Sequence, residues 1–515
     1  MSNNKNSIIS DNDSEIKGEK QEQTTTISVS TVFDLEPQEQ NFDIDKSELR
    51  QLLFKLDIRI LPLFALCQLF SFMDRVNIGN AKIAGLVETT EITEDGYNTA
   101  LSIFFAGYIL LELPSNVILN KLGPRLWISI LMISCGCVMM VMSIAKNDTS
   151  LIIIRLFLGF TEAGLYPALI FSMSVWYTKT QLTKRIAIVL IHSSVASVVG
   201  GLMAYGIMLH LEGTGSLHGW QWIFIIEGGL TVLIGIIVYI LLPEFPEKFF
   251  TEHERDIFIE HKNTSFASYS IFEGDVVYKK IPWENIFVAI KDWHVLIFGL
   301  ANLCYLTIKF NNALFLPSII KGFGFTPLNA QLLTIPPNFI ACVCSLVVAF
   351  SADRNKERGY HILSSSLFTA FGFSLLIGLK DSGTVPLYVA LIFVSVGSQC
   401  SSPCINSWYS SNFAGRVKRS AATGLISMYS NLGGIISGQL YRQSDAPQYV
   451  HGHSASLAIV SCSVILSIVL KIIFKRENIK RDKMTVEERR DVLANNNPNK
   501  LGDKLNDTAV QGFRK

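Results

Sequence analysis

"LIIIRLFLGFTEAGLYPALIFSMSVWY" (Leu151–Tyr177) is long and apolar enough to cross a bilayer, yet it carries Arg155 and Glu162. A charge at the bilayer centre costs about 2.5–3.5 kcal/mol on insertion scales, so two on one helix need a partner or a task. Seven residues on an α-helix make two turns less about 20°. Arg155 and Glu162 therefore share a face, roughly 10 Å apart along the axis. That leaves room between them for a side chain from another helix, for water, or for a substrate. Gly159 lies between them and Gly164 just beyond, small residues that admit a neighbouring helix or a ligand. A purely structural reading has partners across the bundle satisfying both charges. Intramembrane charges of this kind weigh towards function.

This run is one of many. The chain has 515 residues, 49% hydrophobic and 17% charged, with a mean hydropathy of +0.35. A soluble domain carries about 25% charged residues. Both ends are polar, and between them apolar runs of about 20 residues recur, the length that crosses about 30 Å of hydrocarbon. The pattern predicts an all-α membrane protein with twelve transmembrane helices in two six-helix halves. The first span is expected over Ile58–Met73 and the fourth over Leu151–Tyr177. Residues 1–54 read as a disordered N-terminal tail. Residues 55–242 and 292–475 are the two helical bundles, 243–291 a polar central loop, and 476–515 a C-terminal tail. No apolar segment with a small-residue cleavage site opens the chain, so the first span is expected to be its own insertion signal.

Lys and Arg set the orientation. One side holds Lys121 and Arg125; Lys179, Lys184 and Arg185; Arg354, Lys356 and Arg358; Arg416, Lys418 and Arg419. On the other side, residues 88–95 are acidic and 210–219 have no Lys or Arg. Both termini are then cytoplasmic. The basic loops also repeat: "NVILNKLGPR" (Asn116–Arg125) follows the second span and "AFSADRNKERG" (Ala349–Gly359) the eighth. Equivalent loops at equivalent places fit parallel repeats, which put a substrate site near the midplane between the halves. The nine cysteines fall in apolar segments without metal spacing and read as small core residues. There is no phosphate-cradling glycine loop and no metal-spaced His/Cys cluster, so an ATPase or metalloenzyme is unsupported. The chain is not expected to be an enzyme, nor to use a cofactor, a metal or nucleic acid.

"MDRVNIGNAKIAGL" (Met73–Leu86), "ELPSNVILNKLGPR" (Glu112–Arg125), "RLFLGFTEAGLYP" (Arg155–Pro167), "GWQWIFIIEG" (Gly219–Gly228) and "GQLYRQSDAPQYVHGH" (Gly438–His453) span both halves. On these stretches the chain resembles major facilitator superfamily transporters. More narrowly it resembles the fungal allantoate-permease family of organic-anion:proton symporters, which includes nicotinate, pantothenate and biotin permeases. It departs from the superfamily pattern at Asn120, where an Asp is usual; the second copy keeps a pair, Asp353 and Arg354.

The resemblance implies roles residue by residue. Asp74 and Glu162 are expected to carry protons, and Arg75 and Arg155 to neutralise the substrate or gate the carboxylates. A span-two histidine of some vesicular relatives has no counterpart, since Leu101 stands there. Lys309 is balanced between facing the cavity and snorkelling outward from the outer third of its span. Asn302, Asn311 and Asn312 on the same span, Gln399 and Asn406 in span ten, and Asn431 in span eleven supply neutral groups, for substrate or as glue between helices. His192 is a weaker candidate. Glu112 and Glu227, taken as near the cytoplasmic ends of spans two and six, are expected to latch conformations with Lys121, Arg125, Asp353 and Arg354.

Together these imply a plasma-membrane symporter that imports a small organic anion, such as a vitamin or allantoate-like carboxylate, with a proton. It would work as a monomer in the lipid bilayer. Uncoupled facilitation and a non-transporting nutrient sensor are the alternatives.

Overall fold

The computed structural model describes residues 46–177, 181, 185, 186, 189, 192–243, 249–255, 257, 258, 291–355, 357–412 and 416–483. Most of both expected tails and of the central loop falls outside them, as does the side chain of Asn120, but residues 46–54 and 476–482, assigned to the tails, are helical and extend the first and last spans.

The first half runs α1 (Lys46–Val76), α2 (Ile78–Ile83), α3 (Glu94–Leu122), α4 (Pro124–Val141), α5 (Asp148–Glu162), α6 (Leu165–Trp176), α7 (His192–His210) and α8 (Gly219–Leu241). The second runs α9 (Trp293–Gly322), α10 (Pro327–Leu333), α11 (Ile335–Arg354), α12 (Gly359–Gly378), α13 (Thr384–Asn412), α14 (Arg416–Leu440) and α15 (Val450–Asp482). Among the described residues, ten helical stretches are long and apolar enough to cross a membrane. The other two spans are α7, with the shorter apolar portion Val195–His210, and α14. Ser427, Ser430, Asn431, Ser437 and Gln439 make α14 polar, because much of it faces protein rather than lipid. The twelve transmembrane helices form two sets of six.

Local chemistry sets the boundaries. Thr93 caps α3 by accepting the Gly96 N–H at 3.0 Å. Gly123, at φ +80°, ends α3 and Pro124 opens α4. Asn147 and Ser150 form a reciprocal cap on α5. The first span is longer than its apolar run, reaching from Ser47 to Ile83. Asp74, Asn77 and Asn80 are buried inside the bundle, so the polar letters after Met73 mark protein contacts rather than the membrane surface. The fourth span is broken in two at Ala163–Gly164.

Three large apolar cores show how the halves meet. One joins both halves near the acidic 88–95 loop and includes Tyr97, Phe105, Phe310, Phe315, Tyr441 and Tyr449. The other two lie towards the basic loops, one within each half: Leu56, Phe64 and Trp176 in the first, Phe298, Trp408 and Leu470 in the second. Bonds follow the same division. At the acidic-loop end, Gln331 donates to the Asn80 carbonyl at 3.0 Å, Gln439 to the Asn98 carbonyl at 3.0 Å, and Ser102 to the Ile435 carbonyl at 2.9 Å. Lys321 reaches Glu88 at 3.1 Å. At the basic end, Arg185 grips Asp57 through two 2.6 Å bonds within the first half, and Lys471 pairs with Glu357 within the second.

Large apolar side chains such as Phe350, Val347 and Ile240 are exposed, as lipid-facing positions must be. Cys67, Cys135, Cys400 and Cys404 are buried, but Cys137 and Cys462 are exposed. The core reading of the cysteines fails for those two, because a thiol suits a lipid-facing surface as well as a packed one.

Candidate functional site

Arg75 is the hub of the first half. It lies one residue before the end of α1, where carbonyls run short of helical donors. Arg155 uses this, donating to the Arg75 carbonyl at 3.2 Å. The Arg75 guanidinium turns to Glu162 at 2.5 Å, and Ser71 donates to the same carboxylate oxygen at 2.6 Å. The gap between Arg155 and Glu162 is thus occupied by a residue of another helix. Phe104, Phe105, Tyr108 and Phe310 surround the guanidinium with ring centres 5.1–5.8 Å away, a setting that favours a cation over aromatic faces. Phe310 belongs to the second half.

The two glycines act differently. A Cβ on Gly159 would lie 2.2 Å from the Phe104 carbonyl oxygen, so its role is close packing of α5 on α3. Gly164 sits at φ +85°, and a Cβ there would meet the Ser115 hydroxyl at 1.9 Å. Only glycine suits both that conformation and that approach. The break it makes leaves Glu162 as the last residue of α5.

Asp74 is wholly buried. It accepts from Thr231 on α8 at 2.9 Å and from the Cys135 thiol on α4 at 3.6 Å. Arg155 and Glu162 are each 1% exposed, whereas the Arg75 side chain is 12% exposed. Arg75 is therefore the most exposed member of the group.

Lys309 lies at the middle of α9 rather than in its outer third. It is buried, donates to the Ser402 hydroxyl at 3.3 Å and stands 5.8 Å over the Phe72 ring. These contacts hold it inward and remove the snorkelling alternative. His192 packs edge-on against the same Phe72 ring at 5.7 Å and bonds the Val189 carbonyl at 2.8 Å. Asn302 donates to Ser430 at 2.5 Å, Asn311 donates to Ser456 at 2.9 Å, and Asn312 accepts from Ser395 at 3.2 Å. Each ties α9 to a neighbouring helix. Asn406 accepts from Tyr409 one turn away at 2.8 Å. Gln399 and Asn431 are buried.

Glu112 is buried and accepts from Ser427 on α14 at 3.0 Å, linking the halves. Glu227 is eight residues into α8, so it lies nearer the acidic-loop end than the central-loop end where it was expected. The family motif showed its neighbours, but only the true start of the helix, at Gly219, gives its depth. Lys121 is exposed, and Arg125 donates to the Tyr239 carbonyl at 2.7 Å inside its own half. Asp353 pairs with Arg358 at 3.7 Å rather than with Arg354, which is exposed. Adjacent helical residues point about 100° apart, whereas Arg358, at the start of α12, turns back towards Asp353.

The partners Ser71, Cys135 and Thr231 and the rings around Arg75 were not singled out from the sequence. Serines, cysteines and phenylalanines in apolar runs look alike whether they serve a charge or fill a core.

Comparison with known proteins agrees with this architecture. Residues 64–438 match the family model described as Major Facilitator Superfamily. The chain is 32% identical over 445 residues to an uncharacterized transporter of Schizosaccharomyces pombe, covering 86% of this chain and 87% of that one. It is 32% identical over 438 residues to the high-affinity nicotinic acid transporter of Saccharomyces cerevisiae, covering 84% and 79%. Among solved structures, a D-xylose-proton symporter superposes with TM-score 0.62 at 14% identity, covering 80% of this chain and 96% of that one. A bacterial homolog of the human lysosomal transporter Spinster, inward-facing, gives 0.58 at 13%, covering 79% and 95%. At such identities the structures speak for the fold alone. With the family model, two fungal transporters and the twelve-helix fold in agreement, this chain belongs to the major facilitator superfamily.

Proposed function

We propose that the protein imports a small organic carboxylate together with a proton across the plasma membrane, by alternating access, with both termini in the cytoplasm. In that orientation the joined acidic-loop end faces outward and the structure is closed to the outside. The observation that carries the reading is the Arg75–Glu162 pair, in which the arginine is partly exposed and the carboxylate is not.

An incoming carboxylate competes with Glu162 for the Arg75 guanidinium. Once it wins, Glu162 is a buried charge without its partner, a state that costs about 3–5 kcal/mol. Taking up a proton relieves it. Anion and proton then raise each other's affinity by the same factor, which is the coupling a symporter requires. Arg155 fixes the main chain of Arg75 from behind, and Asp74 adds a second carboxyl beside it. Lys309 supplies a cation from the second half, so that the anion's charge is met from both sides of the cavity. The aromatic rings around Arg75 suit a flat aromatic acid, and similarity to a nicotinic acid transporter supports nicotinate as the first substrate to try.

The test is uptake of labelled nicotinate, pantothenate, biotin and allantoate by cells expressing the chain, at acidic and neutral external pH. One anion should accumulate faster at acidic pH, stop with a protonophore, and no longer accumulate in Glu162→Gln. Accumulation that ignores both pH and protonophore would make the protein an uncoupled facilitator. Accumulation by Glu162→Gln equal to the parent's would make that carboxyl structural.

A further inference from the structure

Six acidic or basic side chains crowd the core of the first half: Arg75, Arg155, Asp74, Glu112, Glu162 and Glu227. The mechanism above employs four of them. Glu227 is 0% exposed, and the Asn77 amide faces its carboxyl without forming a hydrogen bond of ordinary geometry.

Its surroundings follow from helix geometry. Thr231 stands one turn further along the same face of α8, and Thr231 is the residue that donates to Asp74 at 2.9 Å. Spans one and six run in opposite directions. Pairing Asp74 with Thr231 therefore sets Asn77, three residues on from Asp74, opposite Glu227. Asn77 is itself buried, and its amide nitrogen has no other partner among the described residues. On the α4 side the backbones pack tightly, since a Cβ on Gly228 would lie 2.6 Å from the Gly136 carbonyl oxygen. The titratable groups that face Glu227 and Asp74 are each other, Cys135 from α4, and Arg155 and Glu162 from α5. Arg155 and Glu162 act on Asp74; no cation touches Glu227.

Charge counting then singles out one group. Arg75 acts on Glu162 and Glu112 and Arg155 on Asp74, whereas no cation acts on Glu227. A buried carboxylate without a cation is strongly disfavoured in a low-dielectric core, so Glu227 fits as the neutral acid. Asp74 acts on Glu227 across the helix contact, and two carboxyls that interact in this way favour one proton between them.

We propose that Glu227 is a proton-binding residue of the transport cycle, holding with Asp74 an exchangeable proton separate from the Arg75–Glu162 pair. The proposal rests on the proton-coupled reading for its place in the cycle, but not for the presence of the proton. That proton gives the half-bundle a store beside Asp74, the carboxyl on which Glu162 acts.

Infrared spectroscopy of the purified full-length protein, without substrate, tests the proton directly. The carbonyl-stretch band of a buried protonated carboxylic acid should be present near neutral pH in the parent and in Glu162→Gln. It should vanish in Glu227→Gln and return, shifted, in Glu227→Asp. A parent without the band, or a band indifferent to Glu227→Gln, overturns the proposal. In vesicles with an imposed pH gradient, Glu227→Gln should bring nicotinate only to equal concentrations on both sides, where the parent accumulates it. Accumulation equal to the parent's removes Glu227 from the cycle. If the parent itself moves no nicotinate, the uptake reading falls, and the infrared result still decides whether Glu227 holds the proton.

Discussion

The guanidinium of Arg75 lies 2.5 Å from the carboxylate of Glu162, joining the first span to the point where the fourth is broken. Because Glu162 is almost wholly buried, water cannot replace Arg75, and the Ser71 hydroxyl would be left as its donor. Arg75→Gln is therefore expected to destabilise the protein by about 3–5 kcal/mol, the cost of stranding a buried charge. Arg75→Gln with Glu162→Gln should recover most of that stability, because the two amides are neutral. The double variant should still fail to accumulate any anion. Thermal unfolding of the four proteins in detergent reads the coupling, and additive losses would mean that the pair is not energetically linked.

Gly159 separates packing from function within the same helix. Its Cβ position falls 2.2 Å from the Phe104 carbonyl oxygen, a backbone atom that cannot swing aside. Gly159→Ala should cost about 1–3 kcal/mol through overpacking. At Gly206, in α7, an added Cβ meets nothing within 4 Å, so Gly206→Ala should stabilise by about 0.4–1 kcal/mol. Opposite signs of the two shifts in unfolding temperature are the expected result. A Gly159→Ala variant as stable as the parent would contradict the packing described for α3 and α5.

Asp445 gives the acidic-loop end a dependence on pH. It accepts from His451 at 2.7 Å and from the Gly452 N–H at 3.0 Å, capping the start of α15. Partial burial works against its charge, but these bonds outweigh burial and hold the carboxyl below its ordinary range. A group lowered in this way contributes stability that is present above its unfolded value, about 3.9 for aspartate, and lost as pH falls through the folded one. Amide exchange at Gly452 should therefore quicken only under strongly acidic conditions. Asp445→Ala should quicken it at every pH, with a loss of about 0.5–2 kcal/mol typical of a helix cap. Exchange that changes near neutral pH instead would point to His451 as the controlling group.

Apolar run length made most of the spans legible, including α14 despite its serines and asparagines. It failed where polar residues are satisfied inside protein. Asp74, Asn77 and Asn80 look like a membrane surface in sequence, yet they sit in the bundle, and the first span continues to Ile83. Helical spacing correctly put Arg155 and Glu162 on one face and left room for a third group, but only tertiary structure supplies Arg75. Spacing likewise cannot tell which cation is partly exposed: Arg155 and Arg75 are equally charged, and burial distinguishes them. The Asp353–Arg354 pair comes from the superfamily pattern, and adjacency on a helix separates those two side chains rather than joining them.

The seam between the halves offers a direct trap for one state. On α14, a Cβ at Gly438 would lie 2.7 Å from the Ser102 hydroxyl and 3.0 Å from the Leu101 Cβ on α3. Paired cysteines at Ser102 and Gly438 would then fall near the separation that a disulfide needs, about 3.5–4.5 Å between Cβ atoms. Ser102 already donates to the Ile435 carbonyl at 2.9 Å, so the two helices are held in register there. If transport requires this end to part, Ser102→Cys with Gly438→Cys should abolish uptake under oxidising conditions and regain it on adding a reductant. Either cysteine alone should show no response to the reductant. Uptake that persists with the cross-link formed, as judged by the shift of the protein on a non-reducing gel, would mean that α3 and α14 do not separate during the cycle, and that the passage for substrate opens elsewhere along the seam.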